Sequence, residues 1–115
     1  MIEHLTKEAF EKKFENFSNS PDWKYDGEKP VIVKFSAPWC QPCKMMIPIL
    51  EKLDKEYEGK IEIYEVDTDS ELELPMMFNI KGVPTLIFFP IGKPMFKKVG
   101  AMPVEMLKKI IEELF

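Results

Sequence analysis

Residues 31–44 read VIVKFSAPWCQPCK. The β-branched apolar run 31–36 predicts a strand, interrupted by one charge at Lys34. Just past it stand Cys40 and Cys43, the only two cysteines of the chain, three positions apart. From Cys40 a helix is expected to about residue 58, with Met46, Ile49, Leu50 and Leu53 on a common face. Pro48 lies inside that helix and removes one backbone donor, so a kink is expected there. Gly59 is the expected C-cap.

Upstream, residues 2–5 suggest a short edge strand. Thr6 caps a helix over 7–17 whose stripe is Ala9, Phe10, Phe14 and Phe17. The polar stretch 18–30 reads as a long loop. Downstream come a strand over 61–67 and a short helix over 71–78. A β-hairpin joins 85–90 to 94–100 around Gly92. Pro103 opens a last helix through residue 114, where a first-turn proline does no harm. The order β-α-β-α-β-α-β-β-α predicts an α/β fold: a mixed central sheet of four to five strands flanked by about four helices on both faces.

Composition sets the outer bounds. A chain of 115 residues fits one domain over 1–115 with one core. An apolar share of 45% and an aromatic share of 12% are those of a folded protein rather than a disordered one. The net charge of −4 and pI near 5.1 argue against nucleic acid, which needs a clustered basic face. No apolar stretch reaches the roughly 18 residues that span a bilayer. The charged start MIEHLTKEAFEKKF lacks the apolar core of a secretory signal, so a cytoplasmic location is expected. A monomer is expected.

Two thiols three apart at a helix start have a specific chemistry. Unpaired amide hydrogens and the macrodipole favour negative charge at a helix N-terminus. Cys40 is therefore the better acid, and an exposed Cys40 thiolate is the expected nucleophile of disulfide exchange. An ordinary thiol of pKa about 8.5 is only a few per cent ionised at pH 7; a drop of about one unit makes that about a quarter. Three-apart positions on a helix bring Cβ atoms within roughly 5–6 Å, so a disulfide closes with modest adjustment. Pro42 stiffens the turn at no cost in hydrogen bonds. In this reading Cys40 attacks and Cys43 resolves. A purely structural disulfide is the plainer alternative, yet so short a ring contributes only about 2 kcal/mol in the chain-entropy picture. A zinc site is another, but Cys40, Cys43 and the single His4 fall short of four ligands. No metal site is expected.

The chain resembles the thioredoxin family. The resemblance rests on LT-x-x-x-F near the start, A-x-WC-x-PCK at the thiols, Pro48 after them, GVPT at 82–85 and VGA at 99–101. It implies the thioredoxin fold, with Pro84 in the cis form opposite the disulfide. It also implies a shallow groove in which the backbone of Val83 pairs with a substrate strand, walled by Trp39, Gly100 and Ala101. Gln41 and Pro42 stand between the thiols in that groove. The implied activity is reduction of protein disulfides through a reversible Cys40–Cys43 dithiol, recharged by a separate reductase. No bound cofactor is implied beyond that redox-active disulfide. Oxidase or isomerase activity is the alternative within enzymes, although Pro42 resembles the reducing members. A binding subunit that uses the groove without redox turnover is a third possibility of a different class.

Departures from the family pattern explain the charge at Lys34. Thioredoxins usually carry a buried Asp at that position and a lysine on the next strand, where this chain has Glu65. The pair is reversed. Strand alternation supports this independently, because Ile61, Ile63 and Glu65 share a face, as do Ile32, Lys34 and Ser36. A lone buried charge costs several kcal/mol, so two on neighbouring strands should pair; the alternative is that Lys34 snorkels outward and Glu65 sits at a wet strand end. Lys34 and Glu65 thus join Cys40 and Cys43 as candidate catalytic residues, Glu65 accepting the Cys43 proton and Lys34 holding the carboxylate. Ser36 and Pro38 replace the usual aromatic and acidic residues, and Gln41 a common glycine. Met45, Met46 and Met106 are expected as core or half-buried filler, Met76 and Met77 as candidates for the groove rim, and His4 as a surface residue.

Overall fold

The computed structural model describes residues 2–18 and 20–114. Its elements run β1 (Glu3–His4), α1 (Lys7–Lys13), β2 (Val31–Ser36), α2 (Gln41–Glu56), β3 (Glu62–Asp67), α3 (Glu73–Met77), β4 (Thr85–Phe89), β5 (Phe96–Val99) and α4 (Val104–Leu114). The five strands form one mixed sheet in the order β1-β3-β2-β4-β5. β1, β3 and β2 are mutually parallel, and β4 and β5 run antiparallel to their neighbours.

Strand alternation divides the core in two. Val31, Val33 and Phe35 of β2 face Phe10 and Phe14, together with Leu74 of α3. Ile32 of the same strand faces Met46, Leu50 and Leu53 of α2 and Leu107, Ile110 and Ile111 of α4. All six residues of β2 are buried, as a central strand covered on both faces requires. Lys34 lies on the α2 side, as its alternation with Ile32 dictates.

Several boundaries differ from the sequence expectation. α1 stops at Lys13 rather than 17, because Phe14 leaves the helical region at φ −117° and ψ 57°. Phe17 still packs on Phe10, edge to face, through a turn and not along a helix stripe. α2 runs unbroken through Pro48 and ends at Glu56, so Gly59, at φ 81°, closes the following turn and does not cap the helix itself. The expected loop over 18–30 includes Asn19, which lies outside the described residues. Trp23 and Tyr25 anchor that loop through edge-on and tilted ring contacts with Phe89 and Phe14, and the Tyr25 carbonyl accepts the Gly92 N–H at 2.8 Å. Of the methionines expected as filler, Met46 is buried, whereas Met45 and Met106 are exposed. They point away from the sheet on helices that bury only one face.

Candidate active site

Cys40 is the N-cap of α2, in extended conformation, with Gln41 and Pro42 as the first two helical residues. Its sulfur accepts the Cys43 N–H at 3.2 Å, one of the amide hydrogens that a helix start leaves without a partner. Cys40 and Cys43 form a disulfide with Cα atoms 5.3 Å apart. The cap geometry therefore already aims a backbone donor at Sγ of Cys40, and a thiolate there would keep that bond and gain from the dipole.

One expectation is corrected. Cys40 is 4% exposed and Cys43 1%, so the oxidised pair is covered rather than displayed. Ala37 forms a buried cluster with the two cysteines, and the half-buried Val83 packs against that cluster. Sequence patterns around the thiols could not show this, because Val83 arrives from a loop far along the chain.

That loop holds the other groove residues. The Val83–Pro84 bond is cis. The Val83 N–H and C=O enter no backbone hydrogen bond among the described residues. Gly100, at φ 99°, donates its N–H to the Pro84 carbonyl at 2.8 Å, tying the 99–101 segment to the proline. Only glycine takes that backbone conformation without strain. Trp39 is 69% exposed beside the thiols, its indole donating to Asp69 at 3.3 Å. Gln41, Pro42 and Ala101 are exposed around them, while Pro84 is buried. A cleft of about 190 Å³ runs between Trp39 and Val83, bounded by Thr68, Pro75 and Ile80. Met76 and Met77 do not line it; Met77 instead borders a separate apolar cleft with Met95 and Phe96. Asp69, which orients the indole, went unnoticed in the sequence, where only its place in a turn after a strand marks it.

Behind the disulfide lies the charged pair. Lys34 is 1% exposed, and its Nζ donates to the Cys43 carbonyl at 2.9 Å. The same Nζ stands 3.6 Å from Oε2 of Glu65, whose side chain is 16% exposed. Parallel pairing of β2 with β3 puts the two residues in direct register. Burial pushes the Lys34 ammonium below its usual range, and the Glu65 carboxylate opposes that shift. The lysine is thus held by a carbonyl at its buried end and by a carboxylate that reaches toward water.

Known proteins are similar to this chain over most of its length. The thioredoxin family model matches residues 1–113. A thioredoxin of Borreliella burgdorferi is 40% identical over 96% of this chain and 95% of its own length. Thioredoxin 1 of Nostoc sp. is 38% identical over 76% of this chain and 82% of its own. A chloroplastic thioredoxin M-type of Spinacia oleracea is 40% identical over 83% of this chain and 54% of its own. The mixed five-stranded sheet with four helices is the architecture this likeness implies.

Proposed function

The chain belongs to the thioredoxin family and is a thiol–disulfide oxidoreductase of the disulfide-reducing kind, and on that premise we propose that Cys40 attacks and Cys43 resolves. The Cys40 thiolate displaces one sulfur of a substrate disulfide, which leaves as a thiolate and takes a proton from water. The mixed disulfide so formed holds the substrate's other sulfur. Cys43 gives up its proton and attacks Sγ of Cys40, and that second substrate sulfur departs. Two electrons pass to the substrate, and the Cys40–Cys43 disulfide remains. A separate dithiol reductase restores the pair. The substrates are protein disulfides, and the compartment is a reducing one such as the cytoplasm, where a dithiol donor is kept charged.

The observation that carries the assignment of roles is the N-cap bond from the Cys43 N–H to the Cys40 sulfur. It stabilises charge on one thiol and not the other. In the groove, the unpaired Val83 backbone suits an added substrate strand, and the Trp39 indole and Ala101 supply apolar walls. Gly100 keeps the wall low, with Gln41 and Pro42 at its base. For Cys43, the proton acceptor in this reading is Glu65, steadied by Lys34, which also touches the Cys43 carbonyl. We read the chain as one domain acting as a monomer with no bound cofactor.

Redox equilibration against glutathione or dithiothreitol tests this function. A reductant gives a potential near that of the reducing thioredoxins, about −270 mV. A value near the periplasmic or endoplasmic-reticulum range would assign oxidase or isomerase activity instead. Replacing both cysteines by serine should abolish substrate turnover; a cellular role that survives this change would point to a binding subunit.

A further inference from the structure

The register of the sheet places three titratable residues in one row. His4 of β1 pairs with Glu65 of β3, and Glu65 pairs with Lys34 of β2. In parallel strands, residues in register carry their side chains on the same face, with backbones about 4.8 Å apart. The row therefore runs from the exposed sheet edge at His4 to the buried lysine that contacts Cys43.

Two surface cavities open onto this row. One of about 270 Å³ is bounded by Ser36, Lys44 and Asp67, the other of about 230 Å³ by Lys34, Leu50 and Glu51. His4, Ile47 and Glu65 line both. The small Ser36 side chain leaves the first one room, and a cavity this size with several polar walls accommodates water. His4 is thus the only imidazole of the chain and stands where the Glu65 carboxylate meets solvent.

We propose that His4 exchanges the proton of Glu65 with solvent during resolution, acting through Glu65 as a positioning residue. This rests on the reading that Glu65 accepts the Cys43 proton. The proton leaves Cys43 Sγ for the Glu65 carboxylate, passes to a neutral His4 imidazole and then to water; no electron moves along the row. An imidazolium at His4 cannot take the proton, and it holds Glu65 ionised by its charge. The other charged groups around His4 are Lys44 and Glu51 on α2, Asp67 and Glu65 on β3, and Lys34 on β2.

The experiment follows the reduced protein mixed with substoichiometric dithiobis(nitrobenzoate), which releases one coloured thiolate on attack and a second on resolution. In wild type the second phase should accelerate between about pH 5 and 8, the range in which imidazoles change charge. His4→Gln should lose that rise and slow the second phase about threefold to tenfold at pH 7.5, less than loss of a direct acid–base group costs. Added imidazole should restore much of the rate, with the first phase and the unfolding midpoint unchanged. A His4→Gln profile that superimposes on wild type overturns the proposal, as does uniform slowing with no response to imidazole. Glu65→Gln run alongside separates the two ideas. If it resolves at the wild-type rate, the role of Glu65 fails; if it is slow while His4→Gln is normal, only the role of His4 fails.

Discussion

Glu65→Gln keeps the shape of the side chain and removes its charge. In the folded protein Lys34 Nζ and Glu65 Oε2 are 3.6 Å apart, and unit charges at that separation attract by about 4.6 kcal/mol at an effective dielectric of about 20. Loss of one partner from a buried pair costs about 3–5 kcal/mol, because the remaining charge is left in the interior. Glu65 is 16% exposed, so water recovers part of that cost. A destabilisation of about 3 kcal/mol at pH 7 is expected, read by urea unfolding of the oxidised protein. The kinetic effect is separate. Without a carboxylate behind Cys43, resolution of the mixed disulfide should slow about a hundredfold, at the modest end for general base catalysis because water can substitute at a partly wet site. Formation should be unchanged, since the N-cap bond to Cys40 is untouched. The assay is rapid mixing with a disulfide-containing protein, acid quenching and mass analysis, in which the mixed disulfide should accumulate only in the variant. A stability loss without that accumulation would make Glu65 a structural partner of Lys34 and no more. Neither effect would mean that the pair matters to neither.

Lys34→Met should change how stability depends on pH. Because burial lowers the Lys34 pKa from 10.5 in the folded chain, the unfolded chain holds more protons on this group between the folded value and 10.5. Wild type should therefore gain stability relative to Lys34→Met as pH rises through that window; parallel curves in urea titrations of the oxidised proteins would contradict it. Thr6→Ala removes the side-chain oxygen that accepts the Ala9 N–H at 3.1 Å, and should cost about 1 kcal/mol in the same titration, with turnover unaffected. Leu53→Ala empties a fully buried position between α2 and the sheet and should cost about 2–5 kcal/mol, seen as a fall in the thermal midpoint.

Legibility in the sequence followed the range of the interaction. Period-two alternation in VIVKFS and in Ile61, Ile63 and Glu65 put Lys34 and Glu65 on one face, and the parallel register of β2 and β3 brings them together. The helix after Cys40 was equally plain, because capping, Pro42 and the apolar stripe agree. Burial of Cys40 was not legible, since it depends on how tightly Ala37 and the 82–85 loop close on the thiols and not on residue pattern. Likewise, Met45 and Met46 read alike as apolar helix residues, and only the orientation of α2 against the sheet exposes one and buries the other. His4 looked like an ordinary edge residue until the pairing of β1 with β3 gave it Glu65 as a neighbour. α1 ends early where Phe14 leaves the helical region, yet Phe14 and Phe17 still reach the core that the helical spacing predicted for them.

Differential alkylation of the reduced protein at neutral pH bears most directly on the division of labour between the two thiols. Iodoacetamide, followed by peptide mass analysis across pH 5–9, should modify Cys40 first, with an apparent pKa clearly below the ordinary 8.5, and leave Cys43 largely unreacted. Equal, slow modification of both side chains with an unshifted midpoint would contradict it, because no activated nucleophile would then exist at the start of α2.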